Sequence, residues 1–396
     1  MNATHTPPSP SRALAIYSLT AASFLGASSA PTPLYRIYQQ TWQFSSGTLT
    51  LVFAVYAFTL LAALLTTGPL SDHVGRRPVV VGSILLNILA LSLFAAADGA
   101  AMLLLARALQ GLATGMAISA LGAALLDASR ERGPLLNSLA PLFGMGIGAL
   151  VTSLLVQYAP APMRLIYLLL IALLAIEALL VLGLPETASR VPGLWASMRP
   201  RVRVPPAARG AMLRILPVNI AVWALGGFYL SLGPTLARIV TGSDNVVVGG
   251  WVVFALTMSG FAAVAVLRTL STPRLLMAGS IALASGLMVT LAGVHLDSAA
   301  PFFAGTCLSG AGFGAAFQGA LRSVVPLAPP AERAGLVAAF FVLSYLAFSL
   351  PVLLAGVLAH ELGLRLTMDL YGAALIVLAS STVAASALGR HARAAG

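Results

Sequence analysis

Lysine is missing from this chain: all 22 basic residues among its 396 are arginine. Without lysine there is no Walker A side chain to grip a nucleotide phosphate and no amine for a Schiff base. That argues against nucleotide-driven work by this chain alone and against imine chemistry. Cysteine is nearly missing too, and the single Cys307 excludes a disulfide framework or a cysteine-based metal site. The five histidines (His5, His73, His295, His360 and His391) fall in tails, loops or the ends of apolar segments. Neither G-x-S-x-G nor H-E-x-x-H occurs, so an enzyme would lack both a nucleophile with its base and a metal cluster. No cofactor and no metal are expected.

Charge is the third scarcity. Asp, Glu, Lys and Arg make up 8% of the chain and hydrophobic residues 59%, against about 45–50% apolar usage in soluble domains. Such a chain cannot cover a water-soluble globule, and its apolar runs reach the ~20 residues a helix needs to cross lipid. Twelve are expected, at 12–35, 47–70, 78–97, 101–126, 134–158, 163–184, 212–239, 246–268, 274–294, 299–324, 334–358 and 366–388, numbered here as helices 1 to 12. In a bilayer every backbone N–H and C=O must be satisfied within the segment, which makes these runs helices. They are too long and uniformly apolar for barrel strands. "ASSA" (Ala27–Ala30) has the small residues of a signal cleavage site, but Pro31 follows directly, and residues 12–35 are read as a retained first helix.

The net charge of +11 invites a nucleic-acid reading, which arginine placement removes. Seventeen arginines fall in segments on the side of the N-terminus, four (Arg36, Arg164, Arg238 and Arg365) on the other, and Arg107 inside a helix. The positive-inside rule then predicts both termini in the cytoplasm. The longest connection, Glu186–Gly210, is rich in Arg and Pro and reads as a cytoplasmic linker. It divides an N-terminal bundle, 1–185, from a C-terminal one, 211–396. A repeat supports the division: "LQGLATGMA" (Leu109–Ala117) matches "LSGAGFGAA" (Leu308–Ala316), "ERG" (Glu131–Gly133) matches "ERA" (Glu332–Ala334), and "LYRI" (Leu34–Ile37) matches "LARI" (Leu236–Ile239). The offsets all lie near 200 and place helix n on helix n+6. The expected fold is an all-α membrane protein of twelve helices in two pseudo-symmetric six-helix bundles around a midplane cavity.

One stretch concentrates the rare charge. "GPLSDHVGRRP", Gly68 to Pro78, joins helices 2 and 3 and holds Asp72, Arg76 and Arg77 beside Gly68 and Gly75. It resembles the loop signature of the major facilitator superfamily, G-x-L-a-D-r-x-G-r-r-p. "RALQGLATG" (Arg107–Gly115) resembles that family's helix 4 signature, and "LPET" (Leu184–Thr187) its usual end of helix 6. "APLFGMGIGALV" (Ala140–Val151) has Gly144, Gly146 and Gly148 but lacks the Gly-Pro pair of the antiporter signature in helix 5. The resemblance, to the twelve-helix drug or metabolite exporters, implies a proton-coupled secondary transporter working by alternating access. An importer or uniporter on the same fold is the alternative, because fold does not fix direction. The implied setting is a bacterial cytoplasmic membrane, and a monomer is expected.

For the loop, an ordinary solvated turn stands against a conformational latch. The resemblance implies that Asp72 engages the start of helix 11 and that Arg76 pairs with Asp127, which would lock the cytoplasmic side closed. Arg107, a charge inside a span, is either a cavity residue for substrate or proton coupling or a snorkelling cation. Gln110 shares its face. Glu177 is the acid deepest in an apolar helix, and structural and proton-coupling roles stay open; helix 1 holds no acid. Asp369 is expected to pair with Arg365 one turn away. The fold implies a cavity bounded by helices 1, 4, 7 and 10 and flanked by 2, 5, 8 and 11. Its polar and aromatic candidates are Tyr17, Phe24, Arg107, Gln110, Asn137, Asn219, Trp223, Tyr229, Phe313, Gln318 and Tyr345. That set suits a small amphipathic or neutral solute better than a strongly cationic one.

Overall fold

The computed structural model describes residues 10–188, 192–329 and 332–394. Twelve of its helices are long and apolar enough to cross a membrane. They begin at Ser11–Trp42 and Gly47–Thr67 and end at Arg333–Glu361 and Leu364–Ala384. The expected segments therefore appear in order, longer at several ends because polar and arginine-bearing turns continue the helix beyond the apolar run.

Two spans are broken where proline requires it. Helix 1 runs Pro10–Ser29, passes through a single 3-10 turn at Thr32–Leu34 and resumes at Tyr35–Trp42. Helix 7 runs Pro206–Ser231 and resumes as Gly233–Thr241, with Pro234 in its first turn. Proline lacks the N–H that would bond the carbonyl four residues back, so each break leaves orphaned acceptors. The breaks fall at equivalent points of the repeat. Pro217, Pro351 and Pro141 sit inside helices 7, 11 and 5.

Each half repeats one packing scheme. Helix 1 lies on 5, 2 on 4, and 3 on 4 and 6; likewise 7 lies on 11, 8 on 10, and 9 on 10 and 12. One apolar core gathers helices 1–6 and reaches Leu230, Val253, Tyr345, Phe348 and Val352 of helices 7, 8 and 11, and a second lies within helices 7–12. The halves meet through helices 5 and 8 and helices 2 and 11. Glycines set these approaches. A Cβ at Gly144 would stand 1.9 Å from Ala22 O and one at Gly148 2.3 Å from Gly26 O, both on helix 1. Gly146, on the opposite face of helix 5, would meet Thr257 Oγ1 of helix 8 at 2.5 Å. The "GAGFG" run of helix 10 likewise lets helices 8 and 9 close in: Gly310 lies against Leu256 and Gly312 against Leu283.

Contacts cross the seam at several levels. Phe143 of helix 5 faces Phe261 of helix 8, Phe53 of helix 2 faces Phe348 of helix 11, and Thr50 packs on Gly356. Nearest the far face, opposite the linker, Gln157 Oε1 accepts from the N–H of Val246 at 3.1 Å, at the start of helix 8.

Candidate functional site

Pro31 explains the surroundings of Arg107. Having no N–H, it leaves Ala27 O without its helical partner. Gln110 Nε2, from helix 4, donates to that oxygen at 3.1 Å, and Arg107 Nη1 donates to the next carbonyl, Ser28 O, at 2.9 Å. Arg107 also donates to Gln110 Oε1 (2.7 Å) and to the hydroxyl of Tyr35, on the outer piece of helix 1. The guanidinium lies 5.2–5.7 Å from the ring centres of Tyr35, Tyr56 and Phe94, an aromatic box of the kind that favours a cation. Arg107 is 1% exposed and Gln110 fully buried. Neither snorkelling nor open display in a cavity describes this residue: it splints a broken helix.

The loop at 68–77 is a hub inside the N-terminal half. Arg76 Nε donates to Asp127 Oδ2 at 3.2 Å, and its Nη1 donates to Ser71 Oγ at 2.8 Å and to Asp72 Oδ1. Arg77 Nη1 donates to Leu182 O and Leu184 O, carbonyls at the end of helix 6. Helix 3 begins at Arg76, and its first N–H groups are capped by the side chain of Glu186, just past the end of the neighbouring helix 6. Glu186 accepts from the N–H of Arg76 (2.8 Å), Arg77 (3.1 Å), Thr187 (3.0 Å) and Ala188 (3.0 Å). Partial burial works against its charge, yet these four backbone donors hold its carboxyl below the usual range. Gly75 makes room: its φ is +119°, and a Cβ there would come within 2.5 Å of Glu186 Oε2. Thr187 Oγ1 adds a bond to Asp127 Oδ2 at 3.0 Å.

Asp72 departs from the expected pairing. Its recorded partner is Arg76, one turn away, and its side chain is half exposed. The start of helix 11 is held instead by the linker, where the N–H of Arg203 donates to Gly335 O at 3.2 Å and its guanidinium lies 3.6 Å from Glu332. Among the described residues the ion pair of Asp72 is with Arg76 and not with helix 11.

The cavity candidates divide into two groups. Trp223, Phe313 and Gln318 are partly exposed, and Tyr345 lies beside them. Trp223 is ringed by Phe317, Phe341, Tyr345 and Phe348 at centroid distances of 4.9–6.3 Å. Trp223 Nε1 and Gln318 Oε1 are buried and have no hydrogen-bond partner within the protein. Tyr17, Phe24, Asn219 and Tyr229 are buried inside one half. Asn219 bonds Ser344 Oγ (2.9 Å) and Tyr229 bonds Thr306 Oγ1 (3.1 Å), each tying two helices of the C-terminal half. Asn137 is exposed on helix 5, beside Gly122 of helix 4.

Glu177 faces inward and is fully buried. Ser23 Oγ of helix 1 donates to its Oε1 at 2.6 Å, and its Oε2 has no protein partner. Asp369 also differs from expectation: it meets His295 at 2.9 Å across helices 9 and 12, while Arg365 pairs with Asp297. Among the described residues no group of His, Cys, Asp or Glu is placed to hold a metal ion.

The sequence pattern described as Major Facilitator Superfamily matches residues 16–295. The chain belongs to that superfamily. Solved superfamily transporters share the fold at low identity. A mutant of the nucleoside transporter NupG is 13% identical with a TM-score of 0.73, covering 94% of this chain and 99% of that one. A bacterial homolog of the human lysosomal transporter Spinster, inward-facing and unoccupied, is 13% identical with a TM-score of 0.74, covering 96% and 98%. The human organic anion transporter MFSD10 (TETRAN) is 17% identical with a TM-score of 0.69, covering 95% and 100%. No curated protein matches the chain. The superfamily and these neighbours are transporters rather than enzymes.

Several functional contacts of this superfamily member lie outside the sequence-based set. Glu186 was marked only by "LPET", and nothing local says that helix 6 ends beside the start of helix 3. Tyr35, Tyr56 and Phe94 come from helices 1, 2 and 3 and converge only in space. Phe317 and Phe341 lie one helical turn from Phe313 and Tyr345, a spacing that extends the wall on the same faces.

Proposed function

We propose that this chain is a secondary transporter that exports a small amphipathic or neutral organic solute, drug-like or metabolic, across a bacterial cytoplasmic membrane in exchange for protons. One observation carries the cargo class. Trp223 of helix 7 meets four rings of helices 10 and 11, and its donor Nε1 and the acceptor Gln318 Oε1 of helix 10 lack protein partners. A flat apolar solute with one acceptor and one donor suits that wall. No acidic residue belongs to the wall to favour a strong cation.

The two bodies, 1–185 and 211–396, rock about the contacts of helices 2, 5, 8 and 11, and the linker 186–210 joins them on the cytoplasmic side. The conformation described is then the cytoplasm-open one. Gly68, Asp72, Gly75, Arg76, Arg77 and Asp127 form the latch, released here, whose Asp72 meets helix 11 when that side closes. For coupling, Glu177 is the proton carrier: it is the buried carboxyl of helix 6, and one of its oxygens has no protein partner. Its bond to Ser23 gives helix 1 a stake in the gain or loss of that proton, and Arg107 ties helix 1 to helix 4 above it.

Proteoliposomes test the reading. Counterflow of a solute found by mass-spectrometric screening should occur without a pH gradient, and an imposed gradient should drive net movement. Transport indifferent to collapsing the gradient removes the proton coupling and leaves a facilitative uniporter; net movement along the proton flux makes the chain an importer.

A further inference from the structure

The repeat sets two arginines face to face. "LYRI" and "LARI" occupy the outer pieces of the broken helices 1 and 7, so Arg36 and Arg238 are counterparts. Between those pieces, on the far face and across the seam of the halves, lies a cavity of about 210 Å³. Arg36, Arg238 and Asp244 line it together with Thr32, Gln40 and Ser231. Its volume falls below the roughly 300 Å³ at which drug-sized pockets begin. Two guanidinium groups against one carboxylate leave the lining with a net positive charge.

Asp244 satisfies these arginines poorly. Both reach the same oxygen: Arg238 Nη2 donates to Asp244 Oδ1, and Arg36 Nη1 stands 3.8 Å from it, beyond hydrogen-bond range. Arg238 is well buried, at 14% side-chain exposure, and its Nε is fixed by Ser243 O at 3.1 Å, so it is preorganised. The Asp244 side chain, by contrast, is 95% exposed. Exposed ion pairs contribute little to stability, whereas a guanidinium that receives both oxygens of a carboxylate makes a short, directional pair. The arrangement is a weakly held carboxylate in a place built for a better one.

We propose that this far-face cavity is a binding site for a small carboxylate, held between Arg36 and Arg238, and that Asp244, exposed at its rim, is the acid that the ligand displaces from these arginines. The site is separate from the aromatic wall and does not rest on the identity or coupling of the transported solute. The ligand class follows from the cationic lining and the small volume. A carboxylate bound there bridges both halves, as Asp244 does now, and so favours the conformation closed on the far face.

Calorimetric titration of the full-length protein in detergent at neutral pH tests this, with benzoate as the anionic probe and benzamide as its neutral counterpart. Asp244→Asn should bind benzoate roughly tenfold more tightly than wild type, because the competing carboxylate is gone and the site gains net charge. Benzamide should bind neither protein measurably. Adding Arg36→Gln to Asp244→Asn should return benzoate affinity to the wild-type level or below, and Arg238→Gln should abolish it. Arg36 is half-exposed and Asp244 exposed, so these variants fold; if Arg238→Gln does not, the Arg36 arm decides alone. Equal benzoate affinity in wild type and Asp244→Asn, benzoate binding undiminished by Arg36→Gln, or no benzoate binding to any variant overturns the proposal.

Discussion

Gln110 Nε2 donates to Ala27 O, the carbonyl that Pro31, four residues on, cannot serve. A side chain of helix 4 thereby repairs a break in helix 1, and Arg107 repairs the adjoining carbonyl of Ser28. The helix 4 signature is thus first a structural joint. Its cost if lost is that of a buried, unsatisfied acceptor, about 1–3 kcal/mol.

A double-mutant cycle should expose that joint. Gln110→Leu strands Ala27 O and should lower thermal stability in detergent. Pro31→Ala returns the missing N–H and should make the same Gln110→Leu change less costly, a coupling of about 1 kcal/mol or more, while the loss of Gln110 Oε1 as an acceptor for Arg107 remains. Additive effects in thermal unfolding would mean that the two residues act independently.

Arg107→Lys tests whether the charge alone suffices. Lysine is a point charge that cannot serve Ser28 O, Gln110 Oε1 and the Tyr35 hydroxyl in the fixed geometry of a guanidinium. It also fits the box of Tyr35, Tyr56 and Phe94 less well. Counterflow should fall at least about tenfold with the folded yield largely kept. Wild-type counterflow in Arg107→Lys would reduce the residue to a generic buried cation.

Glu186 makes the loop's rigidity depend on pH in a defined direction. Its carboxyl lies below the usual range in the folded protein because four N–H groups bond the charged form. A depressed folded-state pKa contributes stability above the unfolded-state value, near 4.3, and that stability is lost as pH falls through the depressed value. Glu186→Gln should therefore lower stability by about 1 kcal/mol at neutral pH, like loss of a helix cap. The difference from wild type should shrink as the pH drops below about 4. Melting curves of both proteins across that range measure it, and a gap independent of pH would contradict the charge-based cap.

The twelve helices and their repeat were legible because lipid leaves few alternatives: a long apolar run must be helical, and arginine marks one side. The break of helix 1 was legible in principle, since "PTP" at Pro31–Pro33 cannot continue a helix. What escaped were relations made by tertiary approach. Glu186 caps a helix 110 residues away in sequence, and Asp369 chose His295 over Arg365 because helices 9 and 12 pack together. Polar residues inside spans did not all mark the cavity. Gln110, Asn219 and Tyr229 instead bind carbonyl or hydroxyl partners between helices, the usual fate of a polar group with no water near it.

Asp72→Asn separates the loop's two roles. In the conformation described Asp72 bonds Arg76, which keeps Asp127, Ser71 and the helix 3 cap, so the N-terminal half should stay folded. The variant removes only what Asp72 does when the linker face closes, and the equilibrium should move toward open. With Cys307 replaced by serine and a reporter cysteine at Leu64, labelling from the linker face should rise roughly threefold. An unchanged rate would leave Asp72 as a local partner of Arg76 and nothing more.

Glu177 decides between a structural and a coupling carboxyl. Its bond from Ser23 and its unpartnered second oxygen fit a group that holds a proton at one stage and yields it at another. Glu177→Gln keeps the size and an acceptor for Ser23 but cannot titrate. Counterflow without a gradient should survive, within about a factor of three, because it needs only the solute and the rocking motion. Net transport driven by a pH gradient should disappear. The opposite pattern, gradient-driven transport intact in Glu177→Gln and lost only when Ser23 or the helix 1–helix 6 packing is disturbed, would assign Glu177 to structure. The proton would then have to be carried elsewhere, with Arg107 and the hydroxyl of Tyr35 the next pair to examine.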